Sequence, residues 1–500
     1  MGRNPWSWPL HIESPSLDPD DWAAFRALCH DLVDQALKAV EGVRDRPVWQ
    51  PMPGAVRAAL REAAPRSAQG AERVGAEFLK RILPYANGNL HPRFFGWVHG
   101  AGTPVGALAE FLAASMNANV GGRDHGAVHV ERQVIEWCKE IFGFPAEASG
   151  LLVSGTSMAT LIGLTVARNV LAEGDVRDLG LLAEPRQLVC YASQQVHGSV
   201  AKALELLGIG RRGLRLVPVD AGHRLIVEEL HNAIRLDRAE GRRPFAVVGT
   251  AGTVNIGASD PLAELASLCR AEGLWLHVDG AFGALSILAP GRRGSLEGIE
   301  QADSLAFDFH KWLHVPYDAG CILVRRGGQH RASFAREQDY LAAADRGLAG
   351  GAPWFCDFGP ELSRGFRALK VWFTIKTHGL DQLGRAIAAN CDLAARLAGM
   401  VREEPCLDLL APVPLNIVCF RYRGDGLPEP VLDRINGDIV ADLQERGIAA
   451  PSTTRVGGRL AIRACICNHR TRPQDLEILL EAVRTLGRQR EAESSAVGQA

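Results

Sequence analysis

The sequence predicts an α/β fold, with a large, mostly parallel β-sheet domain followed by a small C-terminal α+β domain. Between residues 130 and 330, short runs rich in Val, Leu and Ile alternate with amphipathic helical stretches. This alternation is typical of a parallel sheet covered by helices on both faces. After residue 365 a long helical pattern leads into two strand-like runs and two further helices. We therefore expect a large domain over 91–385 and a small domain over 386–487.

The predicted elements can be placed in order along the chain. Residues 1–90 carry a helical pattern that three prolines between residues 47 and 53 interrupt, and the segment is too small for a core of its own. We expect it to pack against a second subunit as a dimerisation segment. The predicted strands of the large domain lie at 151–153, 188–191, 214–217, 245–248, 274–278 and 321–324, and the small domain has strands at 416–422 and 460–467, helices at 430–446 and 473–487, and a polar tail at 488–500.

Composition excludes several classes of protein. The 500 residues are 47% hydrophobic and 22% charged, which is enough apolar surface for a globular fold. The 55 basic and 57 acidic residues leave a formal net charge of -2, which argues against nucleic acid as a partner. Eleven cysteines without framework spacing are typical of reduced thiols. The sequence shows no apolar run of 18 residues and no signal core, so we expect a cytoplasmic protein without a membrane span.

Four groups of polar residues come just after predicted strands, where α/β sheets bind their ligands. The segment 154–157 lies between a strand and a helix, and its N–H groups and hydroxyls form a cradle suited to phosphate. Asp279 ends a strand, Lys311 lies among apolar residues that favour a reactive amine, and His197 follows a third strand. Taken singly, each has a structural explanation: a helix cap, an ion-pair partner, a surface lysine and a hydrogen-bonded loop histidine.

The combination is more specific than its parts. A phosphate cradle, an aspartate after a strand and a lysine some thirty residues later fit pyridoxal phosphate bound to an α/β sheet. In this interpretation Lys311 forms the Schiff base, Asp279 partners the protonated pyridine nitrogen, and the phosphate lies on the helix N-terminus.

Longer motifs make the chain resemble the group II pyridoxal-phosphate decarboxylases, which include aromatic-L-amino-acid, glutamate and histidine decarboxylases. The resemblance covers roughly residues 20–485, and its last two motifs are highly specific. The matching segments are His-Pro-Arg-Phe-Phe at 91–95, Gly-Thr-Val-Asn-Ile-Gly-Ala-Ser-Asp-Pro at 252–261, His-Val-Asp-Gly-Ala at 277–281, Ala-Asp-Ser at 302–304, His-Lys-Trp at 310–312 and Phe-Arg-Ala-Leu-Lys-Val-Trp at 366–372.

The resemblance implies a fold, a cofactor and a set of site residues. The fold is fold type I of pyridoxal-phosphate enzymes, the aspartate aminotransferase-like fold, in a homodimer with its active sites at the interface. His310 is placed near the phosphate, Ala281 under the cofactor ring and His197 on the other face of the ring. The implied catalytic residues are Lys311, His197 and Asp279, and the implied cofactor-binding residues are Thr156, Ser157, His197, Thr253, Asp279, Ala281, His310 and Lys311.

The resemblance also implies decarboxylation of an L-amino acid, most often an aromatic one, to the amine and CO₂. An acidic substrate, or oxidative decarboxylation–deamination to an aldehyde, remains an alternative. Phe355 falls where relatives carry a Tyr that helps protonate Cα, and Asn119 lies where aromatic-amino-acid decarboxylases place apolar pocket residues. Arg463 matches a family Arg that binds substrate carboxylate. Asp308 replaces an Asn of many relatives, and its carboxylate would repel phosphate unless it pairs or points away.

Other functions remain as alternatives. Ser157, Asp279 and His310 follow the chain order of an α/β-hydrolase triad, but a hydrolase leaves Lys311 unexplained. An aminotransferase would share the fold, and a non-catalytic binding protein would share the pocket. Cys465 and Cys467 lie in an apolar run, so we interpret them as strand packing and expect no metal site.

Overall fold

The computed structural model describes residues 16–336, 344–424 and 426–497. Residues 1–15 of the predicted N-terminal segment and 498–500 of the predicted tail lie outside the described residues. The helices are α1 (Trp22–Glu41), α2 (Gly54–Ala59), α3 (Ala71–Arg81), α4 (Pro104–Met116), α5 (Gly126–Phe142), α6 (Thr156–Leu171), α7 (Gly198–Leu206), α8 (Val227–Ala239), α9 (Leu262–Glu272), α10 (Phe309–Trp312), α11 (Gly327–Phe334), α12 (Ala368–Glu403), α13 (Glu429–Glu445) and α14 (Pro473–Val497). The strands are β1 (Phe94–Phe95), β2 (Ser149–Val153), β3 (Leu188–Ser193), β4 (Leu214–Val217), β5 (Arg243–Thr250), β6 (Trp275–Asp279), β7 (Ser304–Asp308), β8 (Gly320–Val324), β9 (Leu407–Leu409), β10 (Ile417–Tyr422), β11 (Ala450–Val456) and β12 (Arg459–Cys465).

Residues 16–45 and 52–86 form a small helical unit of their own. Helix α1 begins after Asp21, whose carboxylate accepts hydrogen bonds from the N–H groups of Ala23 and Ala24. Both long helices of this unit leave large apolar side chains exposed, as expected for a segment without enough mass for a core. These side chains are Trp22, Phe25, Val33 and Leu37 on α1 and Val74 and Phe78 on α3.

The other unit contains residues 46–51 and the described residues from 87 onward, and its centre is a seven-stranded sheet. The strand order is β2-β8-β7-β6-β5-β3-β4. All neighbouring strands from β7 to β4 are parallel, and β8 is antiparallel to both of its neighbours. The prediction of an α/β fold with a mostly parallel sheet is therefore confirmed. The carboxyl ends of β2, β5, β6 and β7 meet at one edge.

Strand β7 was not among the predicted strands. It places a polar residue at each end, Ser304 and Asp308, so its apolar run is only three residues long. Both polar ends are nevertheless fully covered, because β6 and β8 flank the strand within the sheet. This strand delivers Asp308 and the following helix α10 to the ligand-binding edge.

A second sheet with the order β1-β11-β12-β10-β9 forms most of the C-terminal region. Strand β11 carries Ser, Thr and Arg side chains, which explains why no apolar run predicted it. Phe94 and Phe95 of β1 pair in parallel with β11, although they lie in the range predicted for the large domain. Helix α14 continues to Val497, so the polar segment after residue 487 is helical. In the described part of the chain, no helix is both long and apolar enough to span a membrane.

Two internal polar contacts hold the segments that surround the ligand-binding edge. Trp312 donates from Nε1 to Asn390 Oδ1 of α12 (3.0 Å), which anchors α10. Arg364 and Glu131 form a buried ion pair (2.5 Å). The Arg364 guanidinium also donates to the carbonyls of Val120 and Leu152. Because a buried charge is costly without partners, this pair ties three chain segments to α5.

We predict that Glu131→Ala lowers the free energy of unfolding by about 3–5 kcal/mol, since it leaves the Arg364 guanidinium buried without its counter-charge. The loss is measured by urea unfolding followed by circular dichroism. Glu140→Ala on the same helix is the control, because Glu140 is exposed; its effect should stay within about 0.5 kcal/mol. Equal losses of stability in the two variants would contradict the stabilising role of the Glu131–Arg364 ion pair.

Candidate active site

A cavity of about 520 Å³ opens at the carboxyl ends of β2, β5, β6 and β7. The topology explains its position, since ligands of open α/β sheets bind beyond the carboxyl ends of the strands. Seven of the predicted site residues line it together: Thr156, Ser157, His197, Asp279, Ala281, His310 and Lys311.

The N-terminus of α6 forms one wall of the cavity. Gly155 precedes the helix, and Ser154 to Met158 all line the cavity. The Thr156 N–H donates to Asp308 Oδ1 (2.7 Å), while the buried Thr156 hydroxyl has no hydrogen-bond partner in the described structure. A buried hydroxyl without a partner at a helix N-terminus favours a bound anion that would accept its hydrogen bond.

The Lys311 amine and the Asp308 carboxylate form an ion pair at the floor of the cavity. Lys311 Nζ lies 3.1 Å from Asp308 Oδ2, and Asp308 is buried. The presence of aspartate rather than asparagine at position 308 therefore has a structural explanation, because the two carboxylate oxygens are paired with the Lys311 amine and with the Thr156 N–H. The sequence left two possibilities for the Asp308 carboxylate, pairing or pointing away from the phosphate, and the structure shows that it pairs.

Asp279 is buried at the end of β6. Its Oδ1 accepts a hydrogen bond from the Ala281 N–H (3.1 Å). Burial raises the pKa of the Asp279 carboxyl above its ordinary value, and the nearby Lys311 charge opposes this rise. A carboxylate held in this way is suited to a cationic partner inside the cavity.

Two histidines face the cavity from different elements. His197 caps α7, where its Nδ1 accepts from the Ser199 N–H (3.2 Å) and contacts the Ser199 hydroxyl (2.8 Å). His310 accepts from the Ala319 N–H through Nδ1 (3.1 Å), and burial lowers its pKa. The His310 ring lies 4.4 Å from the Tyr317 ring, centroid to centroid.

Four aromatic side chains that no sequence motif marked also line the cavity: Trp97, His99, Phe282 and Tyr317. Three of them, Trp97, His99 and Tyr317, contact one another and form the aromatic side of the cavity. The rings of Trp97 and His99 are stacked with centroids 5.5 Å apart, and His99 meets Tyr317 edge-on at 6.0 Å. Burial, reinforced by the Lys311 charge, lowers the pKa of His99. Phe94 belongs to the motif at residues 91–95, and Trp97 and His99 lie within four residues after this motif.

Thr253 does not line the cavity with the other predicted cofactor-binding residues. Its hydroxyl accepts from the Ala258 N–H (3.1 Å), and its backbone closes the same turn. The side chain is fully buried and does not line the cavity, whereas Thr250, Gly252 and Val254 do. Thr250 has a buried hydroxyl without a hydrogen-bond partner in the described structure.

The three candidate substrate residues lie outside the cavity of their own chain. Asn119 closes a turn by accepting from the N–H groups of Gly121 and Arg364. Phe355 is buried in the core, with its ring 5.1 Å from the Arg364 guanidinium. Arg463 donates to the backbone carbonyls of Trp97, Val254 and Asn255 and to the Ser452 hydroxyl, so it fixes two wall segments of the cavity.

The hydrolase alternative is not supported by the hydrogen bonds. In a Ser-His-Asp triad the histidine bridges the serine and the carboxylate. Here His310 Nδ1 accepts from a backbone N–H, and its Nε2 faces Asp308 at 3.6 Å rather than Asp279. Asp279 itself is held by a backbone N–H.

The residues present fit pyridoxal phosphate. The unpartnered Thr156 hydroxyl is placed for a phosphate, Asp279 for a protonated ring nitrogen and Lys311 for an aldehyde carbon. A family model described as the pyridoxal-dependent decarboxylase conserved domain matches residues 53–423. The chain belongs to this family. It is a pyridoxal-phosphate-dependent amino acid decarboxylase.

Individual proteins that are similar to this chain are also decarboxylases. The aromatic-L-amino-acid decarboxylase of Bacillus atrophaeus is 34% identical over 475 residues, which cover 92% of this chain and 95% of that protein. The histidine decarboxylase of Mus musculus is 31% identical over 430 residues, covering 82% of this chain and 64% of that protein. The structure of Oryza sativa TDC with PLP and tryptamine superimposes with a TM-score of 0.87 at 24% identity, covering 95% and 99% of the two chains. This structural likeness supports fold type I.

We predict that Asp279→Asn raises the thermal unfolding midpoint of the cofactor-free decarboxylase at pH 7. Since burial raises the pKa of Asp279, the ionised carboxylate destabilises the folded state at any pH above the unfolded pKa of about 3.9. The isosteric amide removes this penalty, and its advantage should shrink as the pH falls towards 4. Differential scanning fluorimetry at pH 7 and pH 4.5 measures the effect.

Asp220→Asn is the matched control with the opposite sign. Hydrogen bonds from Arg224 lower the pKa of Asp220, so its ionised form stabilises the folded state above the unfolded pKa. This variant should lower the unfolding midpoint at pH 7 or leave it unchanged. A lower midpoint for Asp279→Asn at pH 7 would contradict the analysis of Asp279.

Proposed function

We propose that this decarboxylase acts on an aromatic L-amino acid and releases the amine and CO₂. The observation that carries the proposal is the aromatic side of the cavity, formed by Trp97, His99 and Tyr317, together with Phe282 in the same lining. Flat rings bind well against such side chains, because offset-stacked and edge-on contacts add to the burial of apolar area. The names of the Bacillus atrophaeus and Mus musculus relatives, which act on aromatic and imidazole side chains, support the same class.

The charges around the cavity argue against an acidic substrate. A second substrate carboxylate needs a cation that is free to pair with it. Among the described residues that line the cavity there is no arginine, and Lys311 is paired with Asp308. Arg463 lies behind the wall and donates to carbonyl groups. We therefore expect glutamate and aspartate to be poorer substrates than aromatic amino acids.

Lys311, Asp279 and His197 are the proposed catalytic residues. Bound pyridoxal phosphate supplies an electron sink for the pair released as the bond between Cα and the carboxylate breaks. Lys311 would hold the cofactor covalently until the substrate amine replaces it. Asp279 would hold a proton on the ring nitrogen, which would keep the sink effective, and its burial would strengthen this interaction.

The remaining cofactor contacts follow from the wall of the cavity. Thr156 and Ser157 donate to the phosphate at the N-terminus of α6, and His310 lies beside it. Ala281 follows Asp279 and leaves space for a flat ring. We retain Thr253 as a residue that shapes the loop near the ring, and add Thr250 as a direct contact because its buried hydroxyl lacks a partner.

His197 is the proposed proton donor to Cα. Its Nδ1 accepts from the Ser199 N–H, so the neutral ring carries its proton on Nε2. That proton is available for transfer from the cavity side, and the Ser199 contacts orient the ring. Phe355 lies outside the cavity of its own chain, so we favour the amine over the aldehyde as the main product.

We predict that an aromatic amino acid gives the highest kcat/KM in a panel of phenylalanine, tyrosine, tryptophan, dopa, 5-hydroxytryptophan, histidine, diaminobutyrate, glutamate and aspartate. CO₂, amine and aldehyde are measured together, in air and without oxygen. Amine and CO₂ should form in equal amounts under both conditions. A preference for an acidic substrate, or aldehyde as the main product in air, would contradict the proposal.

A variant of the aromatic side extends the same experiment. Trp97→Leu should raise KM for the best aromatic substrate about tenfold, because a stacking contact of about 1 kcal/mol or more is lost. Trp97 is half exposed, so the fold should be retained. The kcat should change much less, since Trp97 does not contact the reacting bond.

We propose that the enzyme is a homodimer in which residues 1–90 act as the dimerisation segment of a large domain (91–385) and a small domain (386–487). Support comes from the exposed apolar side chains of α1 and α3 and from one exposed face of α4, whose side chains need a partner. The exposed residues on α4 are Leu108, Phe111, Leu112 and Met116.

A cytoplasmic location is supported by eleven cysteines, all of them free thiols.

We predict that Phe111→Asp converts the dimer to a monomer at micromolar concentration, because it places a charge on the apolar face of α4. Analytical ultracentrifugation gives the mass. Leu236→Asp is the control, since Leu236 is equally exposed but lies on α8. A parent protein that is monomeric, or a dimer unaffected by Phe111→Asp, would refute this interface.

A further inference from the structure

Asp308 occupies a slot that three elements build around its carboxylate. It ends β7, and its Oδ1 accepts from the Thr156 N–H at the start of α6 (2.7 Å). Its strand neighbour in β8 is Gly320, where a Cβ would come within 2.7 Å of Asp308 Oδ1 and 2.6 Å of Gly155 Cα. The two glycines therefore leave the carboxylate in direct contact with the helix N-terminus.

The second oxygen of the same carboxylate faces the Lys311 amine. Asp308 Oδ2 lies 3.1 Å from Lys311 Nζ, while the carboxylate is almost completely buried. An ion pair in such surroundings is weakly screened by solvent. An asparagine, as in many relatives, would instead turn an amide N–H₂ towards the amine while its oxygen accepted from Thr156.

Other titratable groups around the Lys311 amine act at longer range. Asp279 from β6 adds a negative charge, and His99 and His310 add imidazoles whose pKa values are lowered. The Lys311 charge also acts on the buried thiols of Cys465, at the end of β12, and of Cys467, two residues further on; burial raises the pKa of each, so both thiols stay neutral. Asp308 differs from all of them because it contacts the amine directly.

We propose that Asp308 is a positioning residue that holds the Lys311 ammonium ion at the cavity floor through an ion pair that must break before the cofactor is loaded. Loading joins Lys311 Nζ to the aldehyde carbon and releases the aldehyde oxygen as water. The nitrogen needs a free electron pair for this attack, so the ammonium ion must first leave Asp308 Oδ2 and give a proton to solvent. This inference rests on the proposed function, in which Lys311 binds the cofactor.

The test compares cofactor loading in the parent, Asp308→Asn and Asp318→Asn. Pyridoxal phosphate is added to each cofactor-free protein between pH 5.5 and 9.5, and the absorbance of the bound cofactor gives the loading rate. Borohydride reduction and peptide mapping identify the modified lysine. Asp318 is the matched control, because it lies nearby, is half exposed and pairs with Arg367 rather than Lys311.

Asp308→Asn should load about tenfold faster than the parent at the acidic end of the pH range, because the ammonium ion no longer has an ion pair to break. Asp318→Asn should load at the parent rate across the range. Equal loading rates for the parent and Asp308→Asn at every pH would overturn the proposal, whereas failure to find the label on Lys311 in the parent would overturn the proposed function itself.

A second pair of variants guards against loss of the fold. If Asp308→Asn does not fold, the smaller variants Asp308→Ser and Asp308→Ala replace it, because neither side chain is longer than that of Asp308. Both should load faster than the parent at the acidic end of the pH range. Parent loading rates in both variants would also overturn the proposal.

Discussion

The cavity of this decarboxylase depends on the way in which the Asp308 carboxylate is paired inside the protein. A buried carboxylate is stable only when its oxygens have partners. Asp308 finds one at the N-terminus of α6 and the other at the Lys311 amine. Since β7 ends at Asp308 and α10 begins with the next residue, this pairing connects strand β7, the proposed phosphate wall and the proposed cofactor lysine.

The elements around this floor are anchored by polar contacts that have no role in the proposed chemistry. Trp312, next to Lys311, is held by Asn390 of the long helix α12. Arg364 and Glu131 join the turn around Val120 to α5 and β2. Such contacts are costly to leave half-made, so they favour a single arrangement of the cavity walls. A rigid wall suits a site in which the orientation of the substrate decides which bond breaks.

The second sheet, β1-β11-β12-β10-β9, is here called the small sheet. It contributes to the cavity by fixing the backbone of wall segments rather than by presenting a side chain to the ligand. Arg463 of β12 donates to the carbonyls of Trp97 and Val254, two residues that line the cavity. Asn255 extends this contact, because its side chain bonds both Gln195 and Thr454. The aromatic side of the cavity is thus tied to the C-terminal region. Any movement of the small sheet would move the surface that is proposed to read the substrate ring.

Much of the fold and the chemical centre was determined by the sequence itself. Apolar runs of three to five residues marked six strands of the large sheet, because a strand buried on both faces requires apolar side chains throughout. Lys311, Asp279, His197 and segment 154–157 come together as expected, since the carboxyl ends of parallel strands share one edge. Strands β7 and β11 escaped prediction because their polar residues find partners only in the folded sheets.

Tertiary structure decided which polar side chains face the cavity. Thr253 and Arg463 belong to recognisable motifs, yet their hydrogen bonds go to backbone groups within the protein. Phe355 is buried against Arg364, and Thr250 takes a place on the wall that no motif had marked. A motif specifies which residue types are available, but the partner of each donor and acceptor is chosen by long-range packing. That choice depends on distances between segments far apart in the chain, which local sequence patterns do not contain.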